Sequence, residues 1–146
     1  MITKKELIRK GFNNPKLVSE QKEGKKDEFA EMISLLLHSR TQAHTLHLQT
    51  DSFSEHMALN GYYDGIVDLV DGLVESYQGK HGIIKNYKTF DMVDYKSNDQ
   101  LLSYFKELLK IISDNRDSVK ESYIQNQIDT VEELINSTVY KLKFLK

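Results

Sequence analysis

Residues 44–76 read HTLHLQTDSFSEHMALNGYYDGIVDLVDGLVES. Ser52-Phe-Ser-Glu55 is a capping box, in which the serine oxygen takes the third following amide and the acid returns a bond, so a helix starts near residue 53. Projected at 100° per residue, Tyr62, Ile66, Leu69, Val70, Leu73 and Tyr77 share one face and His56, Asn60, Asp64, Asp68, Asp71 and Glu75 the other. The first face is core and the second is an acidic solvent face. The helix ends at Gly79 or Gly82, giving a span near 53–78. Gly61, Gly65 and Gly72 lie inside it at a cost of about 1 kcal/mol each relative to alanine, which predicts the close approach of another backbone.

Upstream, Phe29, Ile33, Leu36, Leu37 and Ala43 recur at helical spacing and mark a helix near 27–49. Downstream, Ser97-Asn-Asp-Gln100 and Ser118-Val-Lys-Glu121 are two further capping boxes, placing helix starts near 98 and 119. Leu101, Leu102, Phe105, Leu108, Leu109 and Ile112 form the apolar stripe of a helix near 98–114. Ile124, Ile128, Val131, Ile135, Val139 and Leu142 form that of a helix near 119–143. The only proline is Pro15. Residues 83–96 make a long connection with room for a short extra helix. Short, long and short links between four helices predict an all-α chain, a ferritin-like antiparallel four-helix bundle with its long connection between helices two and three.

At 146 residues and 39% apolar content the chain makes one core, a bundle over 27–146 preceded by an N-terminal extension over 1–26. That extension carries eight bases against three acids, a formal +5. With the whole chain at −2, the remaining 120 residues hold −7. A basic arm on an acidic body binds a polyanion such as DNA through residues like Lys4, Lys5, Arg9 and Lys10, lies on acidic surface of its own oligomer, or is a plain solvated tail. No stretch reaches the roughly 20 apolar residues of a membrane span, and no signal-peptide run opens the chain, so the expected location is cytoplasmic, with no membrane partner.

The absence of cysteine excludes disulfides, thiolate metal sites and a catalytic thiol, so a metal must be held by His, Asp, Glu or water. One such set stands out: His44 and His56, twelve residues apart, and Asp71 and Glu75, one helical turn apart. Both histidines are expected to lie level, each about a turn and a half from the 50–52 corner. His56 and Asp71 are fifteen residues apart on one helix, or roughly 22 Å at 1.5 Å per residue, so one chain cannot bring all four to one ion. A two-fold dimer packing its second helices antiparallel brings the histidine end of one beside the carboxylate end of the other. Histidine with carboxylate suits ferrous iron, with zinc and manganese as alternatives.

Residues 44–76 resemble the Dps family of ferritin-like proteins, whose pattern there is a His, a second His twelve on, then an Asp and a Glu four apart. His44, His56, Asp71 and Glu75 fall at the matching places without a gap. The resemblance implies a hollow dodecamer whose dimer interface carries a ferroxidase centre. Such a centre oxidises ferrous iron, usually with peroxide, and stores ferric mineral, and some members bind DNA through lysine-rich ends. The chain departs from the pattern at Asn60, where an acid is common, and at Thr45, where a Trp usually follows the first His. Asp64 and His47 are possible additional ligands beside Asn60. The alternative is a non-catalytic helical interaction module that keeps the bundle without the metal centre.

No GxGxxG, P-loop, HExxH or nucleophile elbow occurs. Glu132 and Glu133 read as solvent-facing, His38 and His81 as structural or exposed, and Tyr62, Tyr63 and Tyr77 as packing residues.

Overall fold

A computed structural model describes residues 21–146, with side chains from residue 24 onward. They form α1 (Gln21–Gln49), α2 (Phe53–His81), α3 (Asn98–Arg116) and α4 (Ser122–Phe144), with no strand among the described residues. The all-α four-helix fold expected from the stripes is the fold observed. The chain is already helical at Gln21, upstream of the expected start at 27, because Gln, Lys and Glu are good helix formers and only Gly24 weakens the run. Lys4, Lys5, Arg9 and Lys10 lie outside the described residues.

Helix α1 packs on α2, α2 on α4, α4 on α3 and α3 on α1, which closes a ring of four. At one end Asn98 Nδ2 donates to the Glu55 carboxylate and to the Leu142 carbonyl, joining the starts of α2 and α3 to the end of α4. At the other, His81 Nε2 meets Glu121 at 3.0 Å, joining the end of α2 to the start of α4. Every neighbouring pair is therefore antiparallel, and the 82–97 link runs the length of the bundle, the one-crossover connectivity of ferritin-like folds.

The caps explain where the helices begin. Ser52 Oγ accepts from Glu55 N and Ser97 Oγ from Gln100 N, as the first two boxes require. Their return arms go elsewhere: Glu55 binds Thr50 and Asn98, and Gln100 Oε1 takes the Lys96 amide. The third box does not form. Ser118 Oγ donates to the Asn115 carbonyl and closes the end of α3, Val119 is drawn into the core, and the Glu121 carboxylate is held by His81. Helix α4 consequently begins at Ser122 with no side-chain cap. Gly82, at φ 88°, stops α2 three residues beyond the expected 78, a backbone angle that favours glycine.

The core is one cluster drawn from all four helices, including Ile33, Leu59, Tyr62, Ile66, Phe105 and Ile128. The Tyr62 hydroxyl lies 2.6 Å from Ser39 Oγ, and burial pushes its pKa far above the ordinary tyrosine range, so it stays neutral. Leu37, expected in the core, is 41% exposed instead. The apolar side of α1 is wider than one stripe, with Met32, Ile33, Leu35 and Leu36 all buried, and Leu37 falls beyond its edge.

That width has a cause, because α1 is covered by the crossover as well as by the bundle. Residues 82–96 form no helix and instead lie along α1 in extended form. Gln42 binds the Val93 amide and carbonyl at 2.8 Å each, Gln49 Oε1 takes the Tyr95 amide at 2.7 Å, and Ser34 Oγ takes the Lys88 amide at 2.9 Å. Two side-chain amides and one hydroxyl thus supply bonds that a neighbouring strand would otherwise give.

The glycines of α2 answer to α4 of the same chain. A Cβ on Gly65 would stand 3.3 Å from Leu134 Cδ2, and Gln127 Nε2 donates to the Gly72 carbonyl at 3.2 Å. They form an internal seam between α2 and α4, and the approaching groups are side chains, not a second backbone.

Candidate metal centre

The turn between α1 and α2 is short, so residues equidistant from its middle lie side by side. His47 and His56 are such a pair: their rings stack with centroids 3.5 Å apart. His47 Nδ1 bonds the His56 carbonyl at 2.7 Å and His56 Nδ1 the His47 carbonyl at 3.0 Å. A carbonyl oxygen only accepts, so each Nδ1 carries a proton and Nε2 is the remaining ring nitrogen; that of His47, a buried residue, lies 3.5 Å from the Tyr63 hydroxyl, which leaves that of His56 as the one of the pair open to a ligand. A backbone carbonyl that takes the other ring proton orients metal-binding imidazoles in the same way.

His44 is not level with His56, because it sits one turn farther from the corner. Its ring stacks on Tyr63 at 4.2 Å and lies 5.9 Å from that of His47. The histidine cluster is therefore a row, His44, His47 and His56, with Tyr63 against the first two and His47 in the central place that the spacing assigned to His44.

Beyond Tyr63 the neutral residue of the set is engaged. The Tyr63 hydroxyl donates to Asn60 Oδ1 at 2.8 Å, and Asn60 Nδ2 donates to Asp64 Oδ2 at 2.8 Å. Asp64 is exposed, as are Asp71 and Glu75 farther along the outer face of α2. Helix rise alone keeps the last two roughly 22 Å and more from His56. Among the described residues, no three His, Asp or Glu side chains of this one chain converge in a way that holds a metal ion. Asp71 and Glu75 make no salt bridge among the described residues.

Exposed apolar side chains lie on the same stretches of α1 and α2 as the histidines. Leu48 is 70% exposed, Phe53 78% and Met57 52%; Leu37, His44 and Leu48 follow one line on α1, and Phe53 and Met57 sit one turn apart on α2. The hydrophobic pattern of α2, read for its buried side, gives no warning of them. The outer side of the same projection, carrying Phe53 and Met57 ahead of the acids, was the signal that could have found them.

The family of unknown function DUF5856 matches residues 47–142, a span that takes in His47, His56, Asn60, Asp64, Asp71 and Glu75 and stops short of His44. The chain is also similar to a protein of Enterobacteria phage T4 described as an uncharacterized 14.6 kDa protein in the mobD-ri intergenic region, with 26% identity over 116 residues, 71% of this chain and 88% of that protein. No solved structure matches.

Proposed function

The chain belongs to the family of unknown function DUF5856, and we propose that it is a self-associating four-helix subunit that binds and oxidises ferrous iron at a centre completed by a second copy. The observation that carries this reading is the state of His56. Its ring is fixed through Nδ1, its Nε2 is left for a ligand, and it stands at the edge of the α2 face that carries Asp71 and Glu75.

Packing this face against its own copy about a two-fold axis, with the α2 helices antiparallel, buries Phe53, Met57 and Leu48 and sets the acidic half of each α2 beside the histidine end of the other. The charges are complementary in that arrangement and opposed in a parallel one. Each of the two equal sites then receives His44, His56 and the neighbouring His47 from one subunit, and Asp71 and Glu75 from its partner. Two carboxylates lower the cost of raising the bound ion from ferrous to ferric, and each peroxide consumed takes one electron from each of two ferrous ions.

A second reading keeps the interface without the chemistry. The clasp between His47 and His56 and the tie between Asn60 and Asp64 are sufficient as structure, and four exposed apolar side chains are sufficient for association. In that case the protein is an interaction module.

One experiment separates the two. Glu75→Ala and His56→Ala chains are prepared separately, then mixed and allowed to exchange subunits, so that a mixed dimer holds one intact site. Each variant alone is expected to lose aerobic ferrous oxidation, and mixing restores part of it, while light scattering reports a dimer or larger throughout. Dimers that oxidise ferrous iron no faster than buffer establish the interaction module. A strict monomer at micromolar concentration overturns both readings.

A further inference from the structure

The opposite end of the bundle holds a cavity of about 500 Å³, within the range of small-molecule sites. Its floor is apolar: the stacked rings of Phe29 and Tyr77, with centroids 3.7 Å apart, and Val119. Four lysines line it from three separate elements: Lys25 and Lys26 on α1, Lys80 on α2, and Lys120 in the turn before α4. The one acid in the lining, Glu121, is bonded to His81 Nε2 at 3.0 Å. Lys26 Nζ approaches Gly82 to 3.4 Å from the place a Cβ would take, so the left-handed turn at Gly82 leaves the room this lysine occupies.

The charge is out of keeping with its surroundings. Lys80 and Lys120 belong to residues 27–146, which carry −7 in all, and here they meet Lys25 and Lys26 from the end of the basic extension, so that four positive charges line one cavity and favour an anionic ligand. A lone phosphate fills only a small part of 500 Å³ and makes no use of the apolar floor. We propose that the cavity binds a nucleoside polyphosphate, the phosphates among Lys25, Lys26, Lys80 and Lys120 and the nucleoside over Phe29, Tyr77 and Val119. His81 and Glu121 offer a hydrogen-bonding pair beside that floor. The site is remote from the histidine cluster and does not depend on iron.

The test uses the full chain, calorimetry near physiological ionic strength, and two probes, ATP and inorganic tripolyphosphate. One ATP per chain is expected, with tripolyphosphate weaker by about tenfold or more, since it lacks the part that meets the floor. Lys80 and Lys120 are exposed, so the Lys80→Gln, Lys120→Gln double variant keeps its helical circular dichroism and weakens ATP by about tenfold or more. Ser118→Trp, at an exposed position of the lining, leaves every charge in place and is expected to block ATP by filling space. No ATP binding up to millimolar concentration overturns the proposal. So does equal affinity for the two probes, or ATP binding that neither variant changes.

Discussion

At the end where α1 turns into α2, polar groups answer one another in pairs. Glu55, buried, takes bonds from Thr50 and Asn98; Asn98 also bonds the last turn of α4; and His47 and His56 exchange bonds with each other's carbonyls. At the end where α2 meets α4, one ion pair stands beside four lysines and a cavity of about 500 Å³. The first end joins helices through matched donors and acceptors, so it contributes stability. The second leaves like charges facing an open space, and its unbalanced groups are the ones available to a ligand.

The sharpest way to break this contrast is Glu55→Ala. Losing the carboxylate orphans the Thr50 hydroxyl and one bond of Asn98, and is expected to cost about 2–3 kcal/mol in urea unfolding. A cost below about 0.5 kcal/mol, that of an ordinary surface change, would show that this end is not held by its polar network.

Gln42→Ala comes next. It strips the crossover of the paired bonds to Val93 N and O and should cost about 2 kcal/mol, with faster hydrogen exchange at the Val93 amide than at the helix centres. Unchanged exchange there would place the crossover's hold in Ile84 and Phe90, its buried apolar residues.

At the lysine end the sign reverses. A Cβ on Gly79 meets nothing within 4 Å, so Gly79→Ala is expected to add about 0.5–1 kcal/mol through helix propensity. Gly65→Ala, pressed against Leu134, should gain less. A loss at Gly79 contradicts the openness described for that end.

The smallest effect is a pH dependence along α1. Burial lowers the His38 pKa below 6.5, outweighing the bond to the Asp91 carbonyl and the Asp91 charge, which raise it. The unfolded chain therefore binds this proton more readily, and His38 contributes stability that is intact above pH 6.5 and declines as pH falls toward the lowered folded value. Urea midpoints compared at about pH 7.5 and about pH 5.5 should differ less in His38→Gln than in the parent chain. An equal difference would assign the acid sensitivity to other groups.

Legibility followed the range of the interaction. Ser52, Ser97 and the stripes of α3 and α4 act within a few residues of themselves, so their helices could be read directly. Ser118 looked the same locally but was overruled by Val119 entering the core and by His81, 40 residues earlier in the chain, taking Glu121. The site split in the same way. His56, Asp71 and Glu75 belong to one helix, and their common side and separation followed from 3.6 residues per turn. The displacement of His44 by His47 depended on where the α1–α2 turn has its middle.

By itself, the amino-acid sequence determined that this is an all-α chain of four helices with one long crossover, because capping, periodicity and link length are local or nearly so. Only the tertiary structure decided that the α2 glycines face α4, that Leu37 lies outside the core, that the crossover is bound in extended form by Gln42 and Gln49, and that four lysines from three elements meet over Phe29 and Tyr77. Each of these joins residues far apart in the chain, and such contacts are set by how the helices pack on one another.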